Sequence, residues 1–268
     1  MKYGFIGCGN MGGAVAKALS QATRDIMVTD RSGKAAKLAQ QLSISYGDNE
    51  TAARECDLLF LCVKPQMMAG VLSPLQSILA LRKPVLITMA AGLSIAQIEE
   101  FAGASLPVIR IMPNTPVAVG KGMIPYCRNG LVSDEVLADV ISDLQYAGRL
   151  DAIDEGLIDA ASALSGCGPA YLYMFLEAMA DGAVSCGLPR KKALEYAAVT
   201  MAGAAEMALS SGIHPGALKD AVCSPGGSTI AGVQALEQHG FRGTVMDCIA
   251  AAYQKTKALG DAPKKEKE

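Results

Sequence analysis

The 268 residues carry 24 Lys and Arg against 26 Asp and Glu, a formal net charge of −2 at pH 7, with 51% hydrophobic and 19% charged residues. This balance excludes a disordered chain, and it excludes a general binder of nucleic-acid backbone, which needs a basic face. No apolar run nears the roughly 18 residues of a membrane helix, and a strand pattern that starts at Lys2 leaves no room for a signal peptide, so a membrane protein is not expected.

Length alone suggests roughly two domains of ordinary size. With no Trp and only 5% aromatic residues, the core must be aliphatic and base-stacking platforms are not expected. The eight cysteines form no C-x-x-C pair, which fits reduced thiols in the cytoplasm rather than a disulfide framework. Neither His214 nor His239 has a ligand partner four residues on, so no metal site is expected.

The first half alternates between two patterns. Residues 2–6, 26–29, 57–63, 84–89 and 108–112 are short, apolar and β-prone, the pattern of strands buried on both faces. Helical spacing runs over 11–21, 34–42 and 94–101 between them. Residues 123–128 and 149–152 read as late strands around a helix at 133–146. Strands alternating with helices predict a doubly wound α/β fold with a parallel sheet over residues 1–152.

After residue 153 the strand signals vanish. Ala/Met/Leu-rich helical segments follow at 155–165, 169–186, 190–211, 215–222, 228–239 and 243–259, punctuated by Gly and Pro. This predicts an all-α domain over 153–260 and a charged tail over 261–268. A helix such as 197–208 with almost no polar face must be covered by something, so an oligomer interface is expected there.

Gly7, Cys8, Gly9, Asn10, Met11 and Gly12 match G-x-G-x-x-G, directly after a strand and opening a helix. That context is what dinucleotide binding demands. Gly7 makes the turn, Gly9 lets backbone approach a pyrophosphate, and Gly12 lets the helix pack close on the strand. The free N–H groups at the helix start then face phosphate. Asp30 ends the second strand. An acid there favours NAD by accepting ribose hydroxyls, whereas Arg31, Ser32 and Lys34 beside it favour a 2′-phosphate. Asp30 also fits the cap of the following helix.

Further motifs occur in order: CVKP at 62–65, AAG at 90–92, MPNTP at 112–116, LSGCGPAY at 164–171, MADGAVSCGLPR at 179–190 and HPGALKDAVCSPGGSTI at 214–230. Together with GFIGCGNMG at 4–12, the set resembles the pyrroline-5-carboxylate reductases from about residue 3 to 259, and SPGGST is its most specific part.

The resemblance implies a Rossmann domain followed by a helical dimerisation domain, homodimers or rings of dimers, and reduction of 1-pyrroline-5-carboxylate to L-proline. NADPH is the implied cofactor, with NADH the alternative. Carried over by motif, Gly7 to Gly12 cradle the pyrophosphate, while Arg31, Ser32 and Asn49 lie on the adenosine side. Cys62, Val63, Lys64 and Pro65, with Ala90, Ala91 and Gly92, line the cofactor. Glu155, Ser224, Gly227, Ser228 and Thr229 are assigned to the substrate. Ser228 stands where family members often carry Thr or Ala.

Read from the residues alone, SPGGST before a helix offers N–H donors and a positive dipole end suited to a carboxylate, with Ser228 or Thr229 a good cap type. An ordinary capped helix is the competing reading. A cyclic imine is basic enough to take a proton near neutral pH, so orientation matters more than a strong acid. Thr229 is the leading candidate to hydrogen-bond the imine nitrogen and Lys64 the next. Two other functions compete. A β-hydroxyacid dehydrogenase would need a lysine in the helix 169–186, which has none. A non-catalytic nucleotide sensor would leave the SPGGST loop without a purpose.

Overall fold

The computed structural model describes residues 1–260. Strands β1 (Tyr3–Ile6), β2 (Ile26–Thr29), β3 (Ser45–Tyr46), β4 (Leu58–Leu61), β5 (Val85–Thr88), β6 (Val108–Ile111), β7 (Gly122–Arg128) and β8 (Gly148–Ala152) form one sheet. Their order is β3-β2-β1-β4-β5-β6-β7-β8. The chain therefore leaves β1 in both directions, and the seam between β1 and β4 is the topological switch point at which such sheets bind ligands.

Pairing is parallel from β3 to β6. β7 runs antiparallel to β6, and β8 is parallel to β7. The late strands were expected, but the reversal at β7 was not legible. The link from β6 to β7 is a short 3-10 turn, Thr115–Val119, and a chain that short can only return antiparallel. The sequence reading also missed the two-residue β3 and the helix Asn49–Glu55, which are too short to carry a periodic signal.

Both faces of the sheet are covered. On one face Val15 and Leu19 of the helix Asn10–Leu19 pack with Phe5, Phe60, Val140 and Leu144. Phe5 and Phe60 stack, with ring centroids 4.3 Å apart. On the other face Met68, Leu72, Leu79 and Ile98 pack with Ile6, Leu59 and Leu61. Burial on two sides explains why the strands are continuously apolar rather than alternating.

The chain divides into two compact units. One is Met1–Cys167 with residues 252–260, and the other is Gly168–Ala251. The sheet ends at Ala152, but the first unit continues through Glu155–Leu157, Ile158–Ala161 and a π-helical turn, Ser162–Gly166.

The second unit holds the helices Gly168–Ser185, Arg190–Ser211, Pro215–Ala221 and Ser228–Gln238 and the start of Phe241–Gly260. Among its described residues the buried hydrophobics are only Ala180, Ala193 and Ala197. Meanwhile Met174, Val199 and Leu209 are each about two-thirds or more exposed. The expected charged tail, 261–268, lies outside the described residues. No helix among the described residues is long and apolar enough to cross a membrane.

Candidate active site

Strand register brings the motifs together. Ile6 pairs with both Thr29 and Leu61, and Leu61 pairs with Thr88. The residues just beyond these ends are Gly7, Asp30, Cys62 and the Met89–Gly92 segment, so four separated motifs meet at one edge of the sheet.

Gly7 sits at φ +97°, where only glycine is comfortable. Gly12 is packed from below. A Cβ there would lie 2.4 Å from the Gly7 carbonyl oxygen and 2.8 Å from Cys62 Cβ. Gly9 is the opposite case, because a Cβ there would meet no protein atom within 4 Å. Gly9 is also the N-cap of the helix Asn10–Leu19 and supplies no side-chain cap. The first-turn N–H groups of that helix have no intrahelical acceptor, and the Gly9 Cβ position beside them is open. A pyrophosphate fits these donors and that space.

Cys8 and Cys62 are not activated thiols. Burial pushes the Cys8 thiol up to about 12. Burial, aided by the neighbouring Cys8, pushes the Cys62 thiol well up too. Both are uncharged at neutral pH.

At the end of β2, Thr29 Oγ1 donates to Asn49 Oδ1 at 2.5 Å, which fixes the Asn49 amide at the start of its helix. Thr29 was not singled out in the sequence. Asp30 accepts from Ser32 Oγ at 2.7 Å, Gly33 N at 3.0 Å and Lys34 N at 3.0 Å. Burial pushes its carboxyl up, but the Ser32 hydroxyl and these backbone amides outweigh that and hold it below its ordinary value. The capping reading of Asp30 therefore describes its contacts, although Gly33 is the formal N-cap. Arg31 and Ser32 are exposed. Lys64 is exposed and precedes the 3-10 turn Pro65–Met67. Ala90 is buried, and Gly92 takes φ +76°.

Glu155 is engaged within the protein. Its Oε1 accepts the Ile95 N–H at 2.7 Å and lies 3.6 Å from Arg110, whose other partner is Asp159 at 2.6 Å. The carboxylate thus braces the helix Ile95–Ala102, which follows Ala90–Gly92. Arg110 was also missed, though a lone Arg in the buried strand sequence VIRI is a readable signal of an internal ion pair.

The second polar constellation belongs to the helical unit. Ser224 to Gly227 form a turn closed by the Gly227 N–H, which donates to the Ser224 carbonyl at 3.0 Å. Gly226 takes φ +67°. The helix Ser228–Gln238 follows, with Gly227 as its N-cap and no side-chain cap. Two expectations change here. Neither Ser228 nor Thr229 is the cap, and Gly227 spends its N–H inside the turn. The amides left without an intrahelical acceptor are those of the first helical turn, from Ser228 onward. Ser224, Ser228 and Thr229 are all exposed. Among the described residues no three His, Cys, Asp or Glu gather as a metal site.

Residues 155–259 match the family described as pyrroline-5-carboxylate reductase dimerisation, and residues 2–92 match the family of NADP oxidoreductases, coenzyme F420-dependent. Pyrroline-5-carboxylate reductase of Escherichia coli is 40% identical over 96% of this chain and 98% of its own. This chain belongs to the pyrroline-5-carboxylate reductase family. The pea member, from Pisum sativum, is 41% identical over 96% of this chain and 95% of its own. The NADP-bound crystal structure of the Plasmodium falciparum pyrroline carboxylate reductase superposes with a TM-score of 0.88 at 35% identity, covering 97% of this chain and 98% of its own. The Rossmann-like sheet and the helical dimerisation domain are therefore those of the reductase family.

Proposed function

We propose that this protein reduces 1-pyrroline-5-carboxylate to L-proline, the last step of proline biosynthesis, and that it takes the hydride from NADPH in preference to NADH. It is an NAD(P)H-dependent oxidoreductase. The observation that carries the reading is whole-chain kinship at 40% identity, in a chain that keeps both the open Gly9 cradle and the uncapped SPGGST helix start.

The residues divide the work. Gly7 to Gly12 hold the pyrophosphate on backbone amides. Asn49, Arg31 and Ser32 take the adenosine end, and Val63 to Pro65 with Ala90 to Gly92 flank the rest of the cofactor. Bound there, a nicotinamide supplies the hydride that reduces the C=N bond.

The first-turn amides of Ser228–Gln238 receive the substrate carboxylate through charge-assisted hydrogen bonds. Ser224 and Gly227 shape the turn that presents them. The Thr229 hydroxyl orients the ring nitrogen, which reacts as the protonated imine, and Lys64 is the alternative partner for that nitrogen. Asp30 is reassigned from ribose acceptor to brace, and Glu155 from substrate contact to brace.

The preference for NADPH is supported by Arg31 and Lys34 beside the turn and by an Asp30 carboxylate already occupied. A homodimer, or a ring of dimers, is supported by the exposed apolar faces of the helical unit and by the match to a dimerisation family. The eight free cysteines fit a reducing cytoplasm. The net charge of −2 gives no reason to invoke nucleic acid.

The test follows NAD(P)H absorbance with pyrroline-5-carboxylate and identifies the product by chromatography. Proline formed in proportion to cofactor consumed supports the reading. Absence of proline with either cofactor refutes it.

A further inference from the structure

We infer that Asp30 is a positioning residue for cofactor choice: its carboxylate holds the 30–34 turn in the shape that receives a ribose 2′-phosphate, and does not itself accept the ribose hydroxyls. This rests on the cofactor reading above and assigns the sign of a residue that otherwise argues both ways.

An acid at the end of the second strand conventionally marks an NAD site. That role requires free acceptor positions. An ionised carboxylate has about four, and here Ser32 Oγ, Gly33 N and Lys34 N take up three at 2.7–3.0 Å, with the Ala35 amide a further donor. Accepting two ribose hydroxyls would strip amides from the start of the helix Lys34–Leu42 and leave them unpartnered, which is unfavourable.

The turn is held at a second point by Gly33 at φ +75°, a conformation other residues rarely take. Position ties this turn to the cofactor independently, since Thr29 and Ile6 are paired neighbours and Asp30 and Gly7 follow them at the same sheet edge. The Asp30 charge is offset by the amide donors that surround it. Arg31, exposed on the same turn, and Lys34 supply positive charge suited to a phosphate monoester, while the Ser32 hydroxyl is spent on Asp30.

The two roles predict opposite outcomes for Asp30→Ala. If Asp30 were the ribose acceptor, its removal would weaken unphosphorylated adenosine ligands and relieve repulsion of the 2′-phosphate. If it is the brace, its removal loosens the turn and weakens the phosphorylated ligand selectively.

The experiment measures Kd by calorimetry for adenosine 2′,5′-bisphosphate and for 5′-AMP, which needs neither substrate nor turnover. The wild-type protein should favour the bisphosphate by about tenfold or more, as one charge-assisted contact provides. Asp30→Ala should erase most of that ratio through the bisphosphate, with 5′-AMP changed less than about threefold. Asp30→Asn, which keeps a carbonyl acceptor for the turn amides, should restore part of it. Gly33→Ala, which disturbs the same turn with Asp30 intact, should reproduce the loss.

Tighter bisphosphate binding by Asp30→Ala, or a loss confined to 5′-AMP, overturns the brace while leaving the NADPH preference standing. Equal affinity of the wild type for both ligands overturns the NADPH preference and the brace together, and leaves proline formation as a separate question.

Discussion

Arg110 offers the sharpest test of how the cofactor edge is held. Its side chain is 4% exposed, it pairs with Asp159 at 2.6 Å and lies 3.6 Å from Glu155, and its Nε has no partner. Asp159→Ala would leave a buried guanidinium with one carboxylate beyond hydrogen-bond reach. Breaking a buried pair costs about 3–5 kcal/mol. Glu155 still offsets part of the charge and Asp159 is itself 24% exposed, so the low end, about 3 kcal/mol, is expected.

The control is Asp134→Ala. It removes the Arg128–Asp134 pair, where Asp134 is 93% exposed, and should cost less than about 1 kcal/mol. The assay is urea unfolding at pH 7 with protein concentration fixed, since association shifts apparent stability. The double variant Arg110→Met with Asp159→Leu removes both charges and should recover most of the loss, because apolar replacement of a buried pair is often neutral. The reasoning fails if Asp159→Ala costs no more than Asp134→Ala, or if the double variant is less stable than Asp159→Ala.

Three further outcomes follow from the same geometry. Gly12→Ala should destabilise the fold by about 2 kcal/mol or more, because its Cβ meets the Gly7 carbonyl oxygen; Gly9→Ala, which meets no protein atom, should keep the melting temperature and weaken NADPH binding, as fluorescence titration would show. Thr229→Ala should lower kcat/KM by a factor equivalent to about 1–3 kcal/mol with NADPH affinity unchanged; an unaltered kcat/KM removes Thr229 from the reaction. Burial raises the Cys8 thiol to about 12 and the Cys56 thiol to about 11, so the folded state favours the neutral thiol; stability is full below the unfolded value near pH 9 and falls as pH rises toward 11–12, so a urea midpoint that stays level between about pH 9 and 11 contradicts it.

Legibility in the sequence followed signal length. The segments 26–29, 34–42 and 190–211 match the observed Ile26–Thr29, Lys34–Leu42 and Arg190–Ser211, because each apolar run or helical repeat there is continuous and bounded by polar or Gly/Pro residues. The dinucleotide loop was legible because its glycines do jobs that local backbone geometry alone imposes. The short Ser45–Tyr46 strand was not, since two residues carry no period and its pairing with Met27 and Val28 is purely tertiary. The π-helical turn Ser162–Gly166 was read as ordinary helix, and nothing in SALSG distinguishes one extra residue in a turn.

What the sequence left open was where polar groups spend their hydrogen bonds. Glu155, Asp30 and Gly227 each lie near a helix start and each was assigned to a ligand. In the fold Glu155 caps Ile95, 60 residues away in sequence, a partner no local pattern names. Asp30 and Gly227 are instead consumed within their own turns. Gly9 and Thr229 show the contrasting behaviour, standing at helix starts where no side chain caps the first amides. An unanswered helix start is not by itself a site, since Arg190–Ser211 also begins without a side-chain cap; it gains meaning where a family motif stands on it. Gly7 to Gly12 and SPGGST are such places, whereas Asp30 and Glu155 answer backbone amides within the first unit.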